Sequence, residues 1–116
     1  MDQALNPVDS VRTILARLHA FLEQETQQIN SSPNFDFQVS SERKSRLLFE
    51  LNRASRSLDP TAPDPHLIAD LQKLQVVLRE NEMRIKAHLN AVREISNYMV
   101  GVLKKEEADG TYQEFF

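Results

Sequence analysis

The chain reads as all-α, an elongated antiparallel three-helix bundle or coiled coil with a long C-terminal helix. Three observations lead there. Apolar residues recur at alternating spacings of three and four through most of the chain, which is the period of one helix face and not of a strand. The five prolines fall at 7, 33, 60, 63 and 65, outside every periodic segment, so they act as boundaries. With two glycines and no tryptophan, the composition is poor in the tight-turn residues of a sheet-rich fold.

Asn6-Pro7 reads as an N-cap with proline at the first helical position, and Asp9 suits the first turn. The first helix, about 6–30, carries Val8, Val11, Leu15, Leu18, Leu22, Glu25 and Ile29 on its seam. Glu25 is the one polar member, and the helix is expected to loosen there. Ser31-Ser32-Pro33-Asn34 then turns the chain.

A second helix is expected over about 36–58, with the seam Phe37, Ser41, Lys44, Leu48, Leu51, Ser55 and Leu58, and with Leu47 and Ala54 beside it. Arg43, Lys44, Arg46, Arg53 and Arg56 against Glu42 and Glu50 leave five minus two, or +3, on this helix. The cations spread around it as on a solvated basic face; the alternative is a docking surface for an acidic partner. A break rich in proline follows, and Asp64-Pro65 caps the next helix as Asn6-Pro7 caps the first.

The third helix, about 65–106, organises the rest. Leu67, Leu71, Leu74, Leu78, Asn81, Ile85, His88, Val92, Ile95, Met99 and Val102 make one seam, with Leu71 taken as a core position. A helix of forty residues is roughly 60 Å long, longer than either predecessor. Short connections make the three helices run up, down and up, so the far end of the third should overhang its neighbours. That overhang holds Val92, Ile95, Met99, Val100, Val102 and Leu103, a stripe suited to an amphipathic helix from a partner. The competing covers for it are self-association and the tail folding back; a weak homodimer is compatible with partner binding, whereas a tight one is not. Asn81 either fixes register or is a solvated break in the seam. Residues 107–116 have no period and read as a mobile tail, in which Tyr112, Phe115 and Phe116 stand out; Tyr112 is a candidate anchor for a second partner.

The chain of 116 residues is long enough for one domain, 1–116. The net charge of −3 argues against nucleic-acid binding. Without cysteine there is no thiolate metal site or nucleophile. No signal peptide is evident and no apolar run approaches the ~20 residues of a membrane span, so a cytoplasmic location without membrane insertion is the expectation. His19, His66 and His88 form no metal-ligand spacing and are expected to be structural or partly exposed. A phosphotransfer histidine would need a lysine and a glycine beside it, which Ala87-His88-Leu89-Asn90-Ala91 lacks. No nucleophile–base pair and no phosphate-binding glycine loop is present. The reading is a binding protein, not an enzyme, with no cofactor, no metal and no catalytic residue.

In order along the chain, Leu15-x-x-Leu18-x-x-x-Leu22-x-x-Glu25, Lys44-x-x-Leu47-Leu48-x-x-Leu51, Leu78-Arg79-Glu80-Asn81 with Leu89 and Val92, and Gly110-Thr111-Tyr112 resemble the FlgN-type flagellar export chaperones. The resemblance covers about residues 8–112 and rests on no single specific motif; the tail departs from the family in lacking a second glycine after Tyr112. It implies a cytosolic chaperone of type III protein export in the bacterial flagellum. Such a chaperone holds the disordered, helix-prone end of hook-associated proteins, the junction subunits between hook and filament, and delivers them to the export gate. On that reading the 92–103 stripe is the client site and Tyr112 docks the gate. The alternative is a structural coiled-coil adaptor or homodimeric scaffold subunit.

Overall fold

Three helices form because three N-terminal caps and three amphipathic stripes follow one another. The computed structural model describes residues 6–32 and 34–108. Helix α1 is Pro7–Ser31, α2 is Phe37–Ser55 and α3 is Pro65–Ala108. Asn6 Oδ1 accepts from the Asp9 N–H at 2.8 Å, with Pro7 at the first position of α1. Asp36 Oδ1 accepts from Val39 N–H at 3.1 Å to start α2. Asp64 Oδ1 accepts from the N–H groups of His66 and Leu67 at 2.9 and 3.0 Å to start α3. Each cap satisfies donors that the first helical turn leaves open.

Helix α2 ends three residues before the expected Leu58. Ser57 and Leu58 donate to Ala54 and Ser55 three residues back, a tightened last turn, and Asp59 then bonds Thr61 through both its backbone and its hydroxyl. Pro60 restricts Asp59 before it, which prevents the helical ladder from continuing. Helix α3 runs two residues past the expected 106.

The chain divides into two compact units, 1–84 and 85–116, with the boundary inside α3. In the first unit, contacts fix the helix directions. Glu25 meets Ser40 and Lys44 while Arg17 meets Glu50, so α1 and α2 are antiparallel. Arg12 meets Asp70 while Leu22 and Thr26 meet Asn81, so α3 runs parallel to α1. This is the expected up, down, up bundle. Its core is Val11, Leu15, Leu18 and Leu22 from α1, Leu47 from α2, and Leu67 and Leu74 from α3.

The α1 seam is as expected over Val11 to Ile29. The α2 seam is not. Phe37, Lys44, Leu51, Ser55 and Leu58 are half-buried as expected, and Ala54 with them, but Ser40 and Leu47 are buried in place of Ser41 and Leu48. Both sets obey the three-four rule and differ only in which side of the shared line they occupy. Leucines at both 47 and 48 leave the choice open in the sequence. The approach of α1 decides it, leaving Leu47 9% and Leu48 47% exposed. Likewise Leu71 is exposed and not core, because Asp70 takes the side facing α1 and meets Arg12 Nε at 2.7 Å.

Leu47→Ala is expected to cost about 2–4 kcal/mol, as for a buried leucine. Leu48→Ala is expected to cost under about 1 kcal/mol. Urea unfolding of the two variants measures the difference, and equal losses would return α2 to the other seam.

Candidate partner-binding surface and the polar cluster in the bundle

Two features of α3 bear on function. One is a buried polar cluster in the first unit; the other is an exposed apolar face in the second.

The cluster begins with Glu25, on the buried seam of α1 and 3% exposed. The helix does not loosen there, contrary to expectation, because the carboxylate is fully engaged. Lys44 Nζ from α2 lies 2.7 Å from Glu25 Oε1. Ser40 Oγ, also from α2, donates to Glu25 Oε2. Asn81 Nδ2 from α3 donates to Glu25 Oε1 at 2.8 Å and to Thr26 Oγ1 at 3.1 Å, with the Leu22 carbonyl at 3.4 Å. Lys44 Nζ also donates to Asn81 Oδ1 at 3.2 Å. Asn81 is thus a fully buried register pin and not a solvated break. Among the described residues no buried side-chain nitrogen or oxygen lacks a partner.

Burial by itself pushes the Glu25 carboxyl up. The hydrogen bonds from Lys44, Ser40 and Asn81, with the Lys44 charge, outweigh it and hold the carboxyl below its ordinary 4.5. The Ser40 hydroxyl and the Lys44 ammonium in this cluster are both committed to the Glu25 carboxylate. The chemistry of the cluster is structural: it rejects any helix register that would strand a charge.

In the second unit, Val92, Ile95, Met99, Val100 and Leu103 are all exposed, Ile95 at 64%, and Val102 is half-buried. At 100° per residue these six and Leu89 span roughly 160° of the helix circumference; within residues 89–103 Ser96 is the one polar residue inside the sector, and His88 and Glu106 fall in it on either side. Asn90, Glu94 and Lys105 lie on the opposite side, and Arg93 flanks the sector next to Val100. The six predicted residues therefore share one broad face. Leu89, 49% exposed, belongs to it and was missed because it falls beside the three-four seam. Its signal was the angular sector, not the heptad. Tyr98, 72% exposed, borders this face. Gly101 points away from it, and a Cβ added there would meet nothing within 4 Å.

Tyr112, the expected second anchor, lies outside the described residues. His19 Nδ1 is 3.4 Å from Glu23 one turn on, His66 is exposed and His88 is half-buried. Among the described residues no group of three His, Cys, Asp or Glu is placed to hold a metal, and no helix is long and apolar enough to cross a membrane. Comparison with family models, curated proteins and solved structures finds no match to the chain.

The depressed carboxyl has a sign that can be measured. Folded Glu25 binds a proton less readily than unfolded Glu25, so its stabilisation is complete above the ordinary 4.5 and is lost as pH falls below it through the lower folded value. Glu25→Leu alone is expected to cost about 2–3 kcal/mol, since it leaves Lys44 without its counter-charge and removes one acceptor from Asn81. The triple variant Glu25→Leu, Lys44→Met, Asn81→Leu is expected to lie within about 1 kcal/mol of the parent at neutral pH and to lose stability less steeply between about pH 5 and pH 3. Urea midpoints across that range check both statements.

Proposed function

We propose that this chain is a binding protein and not an enzyme, acting as a cytosolic export chaperone of the FlgN type. Segment 85–108 of α3 receives the helix-prone end of a hook-associated protein, and the tail around Tyr112 brings the complex to the export gate. The observation that carries this reading is the exposed apolar face formed by Leu89, Val92, Ile95, Met99, Val100 and Leu103. An apolar sector wider than a coiled-coil seam, interrupted within residues 89–103 by Ser96 alone, suits a helix laid lengthwise against it. Burying four or five such side chains would supply on the order of 6–12 kcal/mol before ordering costs are subtracted. The unbranched thioether of Met99 lets the face adapt to clients of different shape. The ordered resemblance of the sequence to the family supports the identity of the client.

The test is Ile95→Asp with Met99→Asp, set beside Leu74→Asp in the core. The double variant is expected to stay within about 0.5 kcal/mol of the parent in stability. Its affinity for the terminal segment of a hook-associated protein from the same organism is expected to fall by about 100-fold in titration calorimetry. Leu74→Asp is expected to unfold the bundle. Full affinity in the double variant would remove the face from the reading. A tight dimer by light scattering, dissolved by the same double variant, would assign the face to a second copy of the chain and favour the adaptor.

Gly101 gives a separate measurement. Because the site of its missing Cβ is open, Gly101→Ala is expected to stabilise the helix by up to ~1 kcal/mol without altering the face. If ordering of this segment accompanies binding, client affinity rises by a few-fold at most, read in the same calorimeter. Tyr112→Ala is expected to leave folding and client affinity intact while reducing capture of the complex by the purified gate component.

A further inference from the structure

The cations of α2 do not all spread into solvent. Arg43 and Arg46 point to a groove along the α1–α2 junction, which Arg17 enters from α1. Its floor is apolar, made by Phe21 and Leu47, and its volume is about 420 Å³. Glu50 is the one acid in it and pairs loosely with Arg17 at 3.6 Å. Neither Arg43 nor Arg46 makes an ion pair among the described residues. Three guanidinium groups against one carboxylate leave +2 in the groove, on a chain whose net charge is −3. The groove continues past Phe21 and Arg43 into a cleft that includes Val39, itself 44% exposed, and runs on to Asp36 and Phe35 at the start of α2. There Asp36 is committed to capping α2 and Glu25 to Lys44. From Val39 to Glu50 the groove follows eleven residue steps of α2, about 16 Å or three helical turns.

We infer that this groove docks an acidic amphipathic helical segment of a partner protein. Its apolar side chains would lie on Phe21 and Leu47, and its carboxylates would meet Arg17, Arg43 and Arg46. Arginine forks donate paired hydrogen bonds to carboxylates, so two unpaired forks beside an apolar floor select acid and apolar groups together. The groove lies within the first unit and does not include the apolar face assigned to the client, so this inference stands or falls separately from that reading.

The probe is a fluorescein-labelled synthetic peptide about three helical turns long, with leucines at three-four spacing flanked by glutamates; its control carries lysine for every glutamate. Fluorescence anisotropy is expected to show binding of the acidic peptide alone, weakening as salt rises. Arg43→Glu with Arg46→Glu is expected to weaken it at least about tenfold, and Arg46→Gln by less. The exposed positions of both arginines predict unchanged far-ultraviolet circular dichroism; should the double variant lose helicity, Arg46→Gln gives the reading. The double variant Ile95→Asp, Met99→Asp is expected to bind the peptide like the parent. No binding by about 1 mM peptide overturns the inference. So does equal binding of the lysine control, or binding indifferent to both arginine variants. A single-stranded oligonucleotide that binds more tightly than the peptide and is released by the same variants would also overturn it, in favour of a nucleic-acid site.

Discussion

Glu25 carries a charge into the middle of a helical bundle, and the arrangement of the first unit follows from how that charge is met. Lys44 and Ser40 bring α2 to it and Asn81 brings α3, so one carboxylate joins all three helices. Leucine contacts slide between neighbouring registers at small cost, because one leucine resembles the next. A carboxylate that must find an ammonium, a hydroxyl and an amide does not slide. The apolar core of α1 with Leu47, Leu67 and Leu74 supplies most of the burial. The cluster selects which of several similar packings is adopted.

The same comparison explains what could be read from the residues. The three helices, both Asn-Pro and Asp-Pro caps and the whole α1 seam follow from local rules, since proline positions, side-chain oxygens at the N-cap and a clean three-four repeat leave few alternatives. Helix α2 exposes the limit of such rules. Leu47 and Leu48 sit on either side of the same line, and only the neighbouring helix distinguishes them. Leu71 fails for a related reason: a three-four pattern ranks it with Leu67 and Leu74, yet an ion pair at Asp70 turns it outward. Glu25 looked like a flaw because its partners lie fifteen, nineteen and fifty-six residues away. The groove at Arg17, Arg43 and Arg46 was hidden in the same way, since one of its three cations comes from another helix.

The apolar face of residues 89–103 was the most accessible part of the functional reading, because amphipathicity within a single helix needs no partner to be seen. Its breadth was less so. A heptad analysis asks which residues fall on a line and passes over Leu89, while the angular width of the sector bears on whether a partner helix can lie flat against it. The proposed division of labour, with apolar recognition on the second half of α3 and charge recognition between α1 and α2, gives the chain two chemically distinct surfaces. Partners that differ in charge and hydrophobicity would then not compete for the same one.

The cluster around Glu25 also restricts how this chain can change over generations. Glu25 and Lys44 are each other's counter-charge, so replacing either one singly leaves an uncompensated charge inside the fold, and replacing Asn81 removes the bond that brings α3 to the pair. A lineage can keep the whole set or exchange it for apolar residues, but the route between the two passes through less stable intermediates. These positions should therefore vary together among descendants of a common ancestor, while the solvent-facing residues around them drift independently.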